Sequence, residues 1–256
     1  MAPIASQRCA RSTRRWRIVS LLISAAGLLA SACGPQGATP IPQPPLGAFP
    51  LDSVDTPQAD SNDPKQVLFS SRPSGAAKAE PAPGAVVRVT NLDSTAAASE
   101  TNSDAAGNFT LSAQASLGDE LRFESLLDGR HSGPSDAVLA QSNAELGLVP
   151  SPRFACLLLV PGYFVGFGGS THASVRVHNG CAEPVSLSNP RLRRGLADFA
   201  LTSTLPLDLP SGQDRSLDLV FTPNASGLRE DTLFFDVTLS TELIRYPVTL
   251  SSDPPL

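Results

Sequence analysis

From Ser151 to Ser252 the chain alternates with a period of two. Leu233, Phe235, Val237 and Leu239 are separated by Thr232, Phe234, Asp236 and Thr238, and Leu217, Leu219 and Phe221 by Asp218 and Val220. Ala173, Val175 and Val177 repeat the pattern, as do Ile244, Tyr246, Val248 and Leu250. Successive side chains of a strand point to opposite faces, so such runs are half-buried strands; a helix with a period of 3.6 would scatter them around its axis. From Val67 to Ala140 the pattern recurs: Val87 and Val89 flank Arg88, Leu111 sits between Phe109 and Ala113 two residues away on either side, and Leu121 and Phe123 alternate with Arg122 and Glu124. Turn residues (Asp93-Ser94, Gly107-Asn108, Gly118-Asp119) separate the runs. The pattern predicts an all-β protein of two tandem antiparallel β-sandwiches of the immunoglobulin-like kind, residues 67–150 and 151–256. Polar members of the alternation read as solvated faces or turns. Ser135–Pro150 is open between a last strand and a short helical connector, and few contacts are expected to cross the boundary near Pro150.

The amino terminus has a different logic. Arg14, Arg15 and Arg17 precede an apolar run, Ile18–Ala32, of about 15 residues, short of the ~20 that a membrane span needs. Basic, apolar and then small residues are the order of a secretory signal peptide, here residues 1–32. Leu28-Leu29-Ala30-Ser31-Ala32 followed by Cys33 and Gly34 resembles the lipobox of bacterial lipoproteins. That resemblance implies cleavage before Cys33, a diacylglycerol thioether on its sulfur and an acylated new amino terminus. Ordinary signal cleavage before Cys33, and twin-arginine export at Thr13-Arg14-Arg15, are the other readings. Residues 33–66 hold eight prolines and no apolar period, a composition that reads as a disordered tether.

Removal of the signal peptide takes five arginines and no acid, so 19 basic residues fall to 14 against 24 acids and the net charge to about −10. Such a chain is repelled by phosphate backbones and anionic lipid, which argues against nucleic acid as a partner; membrane attachment must come from the acyl chains. Cys9 leaves with the signal and Cys33 is the lipidation site. Cys156 and Cys181 remain as an even pair in an oxidising compartment and are read as a disulfide.

The string PGAVVRVTN…TNSDAAGNFTLSA…GDELRF resembles the carboxypeptidase regulatory-like fold. Thr101–Phe109 matches that family's turn, which implies a hairpin with Gly107 at positive φ and Phe109 in the core. VRVHNGCAEPVSL…DFAL…LPSGQDRSLDLVFTPNASGLREDTLFFDV…YPVTL resembles the choice-of-anchor D, or Hydin-type, immunoglobulin-like domains. Val175, Val177, Asn179, Pro184, Phe199, Pro210, Gly212, Phe221, Pro223 and Gly227 carry the match. The resemblance implies an adhesive, scaffolding or spacer module with no shared catalytic residues.

A search for chemistry finds little. His172 and His178 share the outward face of one strand, too far apart for one metal ion; His131 sits in a Gly-rich turn. Gly162, Gly166, Gly168 and Gly169 fit neither a P-loop nor a dinucleotide fingerprint, and no G-x-S-x-G is present. Asn91/Asp93 and Asn102/Asp104/Asn108 have ligands for calcium, yet turn chemistry explains them. The expectation is therefore no cofactor, no metal and no enzyme. The function expected is a membrane-anchored lipoprotein of the bacterial cell envelope, outer membrane facing the periplasm or cell surface, acting as a protein-binding, adhesion or structural module. A carbohydrate or cell-wall binding module is the first alternative, though Trp16, the single Trp, leaves with the signal. A hydrolase with an unrecognised site is the second. Pro247 places the strand Leu243–Leu250 at or near a sheet edge.

Overall fold

A computed structural model describes residues 46–61, 63, 65–71, 81–224 and 226–252. The expected signal peptide, Cys33 and the first part of the expected tether lie outside the described residues. No α-helix occurs among the described residues, and no helix there is long and apolar enough to cross a membrane.

The first sandwich contains β1 (Leu46–Ala48), β2 (Gln58–Ala59), β3 (Gln66–Ser70), β4 (Val86–Asn91), β5 (Ser99–Asn102), β6 (Thr110–Gln114), β7 (Glu120–Leu127), β8 (Arg130–Gly133), β9 (Ser135–Ser142) and β10 (Glu145–Pro150). Its large sheet runs β5-β4-β7, and β7 is then flanked by β9 along Glu120–Phe123 and by β8 at Leu126–Leu127. β1 adds to β8 in parallel, and β10 adds to β9 antiparallel. The small sheet is β2-β3-β6. Between the sheets lie Phe69, Val87, Val89, Phe109, Leu111, Leu121 and Phe123.

Four expectations for this half change. The tether ends earlier than residue 66: Phe49 is buried against Phe109 and Phe123, with ring centroids 6.2 and 5.7 Å away. One aromatic anchor and a parallel strand order a segment whose average composition reads as linker. Gly107 has φ of 86° and Phe109 is in the core, but the Thr101–Phe109 turn does not make a hairpin. It carries the chain from β5 in the large sheet to β6 in the small one, and Asp104 closes it by accepting the Ala106 and Asn108 N–H groups. Ser135–Pro150 is a hairpin, turned at Asn143 and Ala144 with φ of 50° and 68°, as a two-residue I′ turn requires. His131 is on β8 rather than in a loop; it is buried, its ring 4.2 Å from that of Phe164.

The second sandwich contains β11 (Leu157–Val160), β12 (Phe164–Gly166), β13 (His172–Asn179), β14 (Val185–Leu192), β15 (Phe199–Leu201), β16 (Leu207–Leu209), β17 (Asp214–Phe221), β18 (Glu230–Leu239) and β19 (Glu242–Ser251). One sheet runs β11-β13-β17-β15 and the other β12-β19-β18-β14-β16. The inward alternation of β13, β17, β18 and β19 fills the core between them. Asn179, fully buried, latches one end: its amide donates to the carbonyls of Glu183 and Leu209, and its oxygen accepts the Cys181 N–H.

The expectation that Leu243–Leu250 lies at or near a sheet edge agrees with the strand order, in which β19 is second from the edge. β12 pairs with β19 along Thr249–Ser251, so the final strand is not the sheet edge there, and Pro247 is buried. The Thr249 N–H turns outward to the Tyr163 carbonyl, and by strand alternation the nitrogen of Pro247 faces the same side. It sits just before β12 begins, where no donor is needed.

The described residues, from Leu46 onward, cluster as one compact unit. The boundary near Pro150 is therefore crossed by many contacts, contrary to the expectation from sequence.

Candidate functional site

The most concentrated chemistry in the molecule lies where β4, β7 and β9 of the first sandwich meet β18 and β19 of the second. Alternation puts Arg88, Arg122 and Glu124 on the outer face of the first large sheet. That face is not solvated: Arg88 is 5%, Arg122 1% and Glu124 1% exposed.

Arg122 is the centre. Its Nε and Nη2 donate to the two carboxylate oxygens of Asp136 at 2.7 and 2.8 Å. Nη1 reaches the Thr249 hydroxyl at 2.8 Å, and Nη2 the Pro247 carbonyl at 2.9 Å. One guanidinium thus holds its own sheet and the final strand of the other sandwich. Arg153, in the connector after β10, donates to Asp136 at 2.8 Å and to Glu120 at 2.6 Å. Arg245 on β19 reaches back to Asp93 and Glu120, each at 2.6 Å. Arg88 pairs with Glu100 and, across the joint, with Glu230. Arg193 donates to the carbonyls of Ser94 and Ala96 at 2.7 and 2.8 Å.

Burial alone would pull the Arg122 guanidinium down and push the Asp136 carboxyl up. Their mutual attraction, with Arg153 also acting on Asp136, outweighs it, so the arginine is held above and the acid below its ordinary value. Burial lowers Arg193. Glu124 differs: burial pushes its carboxyl up to about 7, against the pull of Arg122 and Arg88 and with Glu230 and Asp136 repelling it. Its Oε1 is buried without a hydrogen-bond partner, as is Oε1 of Glu230. Both residues line a cavity of about 40 Å³ at the joint.

Chemically this is a clamp. Apart from Glu124, the acids at its centre are held by guanidinium groups, and no cysteine or histidine belongs to it. Buried ion pairs add little net stability over apolar packing, but removing one partner is costly. The network spans the joint between the two sandwiches.

The residues singled out from sequence lie elsewhere. Cys156 and Cys181 form a disulfide with Cα atoms 4.8 Å apart, tying the start of β11 to the end of β13. His172 is exposed, and His178 contacts Asp214 through Nδ1 at 2.8 Å on the outer face of β13. Asn91 and Asp93 are held by protein groups: Asn91 donates to Gln114 and Asp119, and Asp93 accepts from Arg245 and the Glu120 N–H. Among the described residues no group of three His, Cys, Asp or Glu could hold a metal ion. Sequence reasoning missed the clamp. Its one advance signal is the alternating charge of Glu120, Arg122 and Glu124 on β7, with Arg88 on β4, a pattern also made by a solvated face.

No family model matches the chain, and no curated protein does. Solved structures overlap it distantly. The Vibrio cholerae VesB protease is 10% identical with a TM-score of 0.35, covering 68% of this chain and 63% of that one. A Porphyromonas gingivalis W83 protein of unknown function is 11% identical at 0.30, covering 72% and 89%. The D0-D1 domain of intimin is 8% identical at 0.23, covering 77% and 95%.

Proposed function

We propose that this chain is a non-catalytic binding module of the bacterial cell envelope, anchored through a lipid on Cys33, with both sandwiches acting as one rigid head. The supporting observation is the clamp. Faces that would otherwise be open sheet surface are spent on fixing the two sandwiches to each other, and their charged groups serve that joint. What remains for recognition is strand edges and loop ends, presented at a fixed separation. An adhesive, structural or protein-binding role uses such a head directly.

The test is photo-cross-linking in membranes, with the cross-linker placed in turn at loop ends and strand edges of both sandwiches and at positions before Leu46. A discrete adduct is expected. Adducts confined to residues before Leu46 would reduce the sandwiches to spacers. Turnover in a hydrolase screen, abolished by a single Ser, His or Asp substitution, would overturn the non-catalytic reading.

A further inference from the structure

The cavity of about 40 Å³ at the joint has walls from both sandwiches: Arg88, Thr90 and Glu124 from β4 and β7, and Arg193, Glu230 and Thr249 from the second half. Three polar atoms on these residues are buried without a hydrogen bond: Oε1 of Glu124, Oε1 of Glu230 and Nε of Arg193.

The charged groups around Glu124 come from several strands. On its own strand, β7, Arg122 stands two residues away and is committed to Asp136 of β9. On β4, Arg88 is opposite in register but bonds Glu100 of β5 and Glu230. On β8, His131 is opposite Leu126 and so shares the sheet face. From the second sandwich, β18 brings Glu230 and Asp231, and the segment after β14 brings Arg193 and Arg194. Asp231 accepts the N–H groups of Arg194 and Leu196, and Arg193 donates to the carbonyls of Ser94 and Ala96. Glu124 and Glu230 thus face one cavity from opposite sides of the joint, and Oε1 of Glu124 is tied to none of these cations.

A proton on Glu124 makes that meeting tolerable. Without it, two negative charges share a space with room for about one water, far short of the hydration each carboxylate has in bulk. Charge left in such a place is costly. Glu124 must either hold its proton or regain water, and water enters only if β18 and β19 move off β4 and β7. Burial and the Glu230 charge keep the closed form protonated up to about pH 7, whereas an exposed carboxyl ionises near 4.5. The closed form binds the proton more tightly, so rising pH favours the open form, most steeply between those two values.

We propose that Glu124 is a proton-controlled latch between the two sandwiches: protonated, it lets β18 and β19 lie closed on β4 and β7; ionised, it repels Glu230 across the shared cavity and loosens the joint while each sandwich stays folded. This rests on the reading of the two sandwiches as one rigid head and adds what governs the rigidity.

The test follows exchange of the Arg122 Nε–H in the full chain by nuclear magnetic resonance. Arg122 lies on the outer sheet face and is 1% exposed, so undocking uncovers it. Each rate is taken relative to free arginine at the same pH, and backbone amides of β4 and β18 are read alongside. The open-to-closed ratio at Arg122 should exceed that at the core amides at every pH, and should rise on the order of fiftyfold between pH 5 and pH 8. Glu124→Gln should flatten the rise. Glu230→Gln, which takes away the facing charge and leaves Glu124 to titrate, should reduce it. Four results overturn the latch: Arg122 exchanging no faster than the core amides, a ratio that does not change with pH, Glu124→Gln following the parent, or Glu230→Gln doing so. Slow exchange unaffected by pH removes the latch and leaves the rigid head standing; exchange at the rate of free arginine even at pH 5 removes the rigid head itself.

Discussion

Glu124 lies directly across from Arg88 in the β4–β7 ladder, yet the Arg88 guanidinium turns away from it to Glu100 and Glu230. Arg122, two residues along the same strand face, is committed to Asp136, Thr249 and Pro247. A carboxyl between two arginines is thus left with a buried oxygen that neither satisfies.

That arrangement makes stability fall with rising pH. The folded value of Glu124 is raised from 4.5 to about 7, so the folded state holds the proton more tightly than the unfolded chain. The contribution is fully present below about pH 4.5 and is lost as pH rises to about 7, levelling off above. At 1.36 kcal/mol per unit the ceiling is roughly 3 kcal/mol. Glu124→Gln should remove this slope and unfold at higher urea than the parent at pH 8. Parallel pH profiles for the two proteins would rule out Glu124 as the source.

Arg122→Ala should be among the most damaging single changes in the molecule. It leaves Asp136 buried with Arg153 alone and strips Thr249 and Pro247 of their donor. The expected cost is roughly 3–5 kcal/mol. The paired change Arg122→Leu with Asp136→Leu should recover much of it. Urea unfolding measures both, and a loss below about 1 kcal/mol for the single change would mean the joint contributes little to folding.

Loss of the Cys156–Cys181 bond should be felt in both sandwiches. Closing a loop of 25 residues contributes roughly 3 kcal/mol in the chain-entropy model. The clamp couples the halves, so Cys156→Ala with Cys181→Ala should lower a single common unfolding transition. Hydrogen exchange read separately on β7 and β18 checks this. Destabilisation of β18 with β7 unaffected would show that the halves unfold independently.

Lipidation of Cys33 predicts that a palmitate analogue labels the parent chain and not Cys33→Ser. Equal labelling of both would remove the anchor from the proposed function.

Much of the fold could be read from period-two alternation, because burial of one strand face is a local demand written into every second residue. The disulfide followed from cysteine count and compartment. Phe49 and the Ser135–Pro150 hairpin were harder. A single aromatic is invisible to a composition average, and Ala144 at φ of 68° is not a residue that announces a I′ turn.

The strand periodicity, the apolar face of each strand and the pairing of Cys156 with Cys181 were set by the amino-acid sequence alone. What the opposite face meets was decided by tertiary structure. Alternation places Arg88, Arg122 and Glu124 together on one side of a sheet, and that is as far as a pattern with a period of two can reach. A charged face is stable in water or against a partner that returns each hydrogen bond. Only the docking of β18 and β19, which brings the Thr249 hydroxyl, the Pro247 carbonyl and the Glu230 carboxylate to that face, chooses between the two.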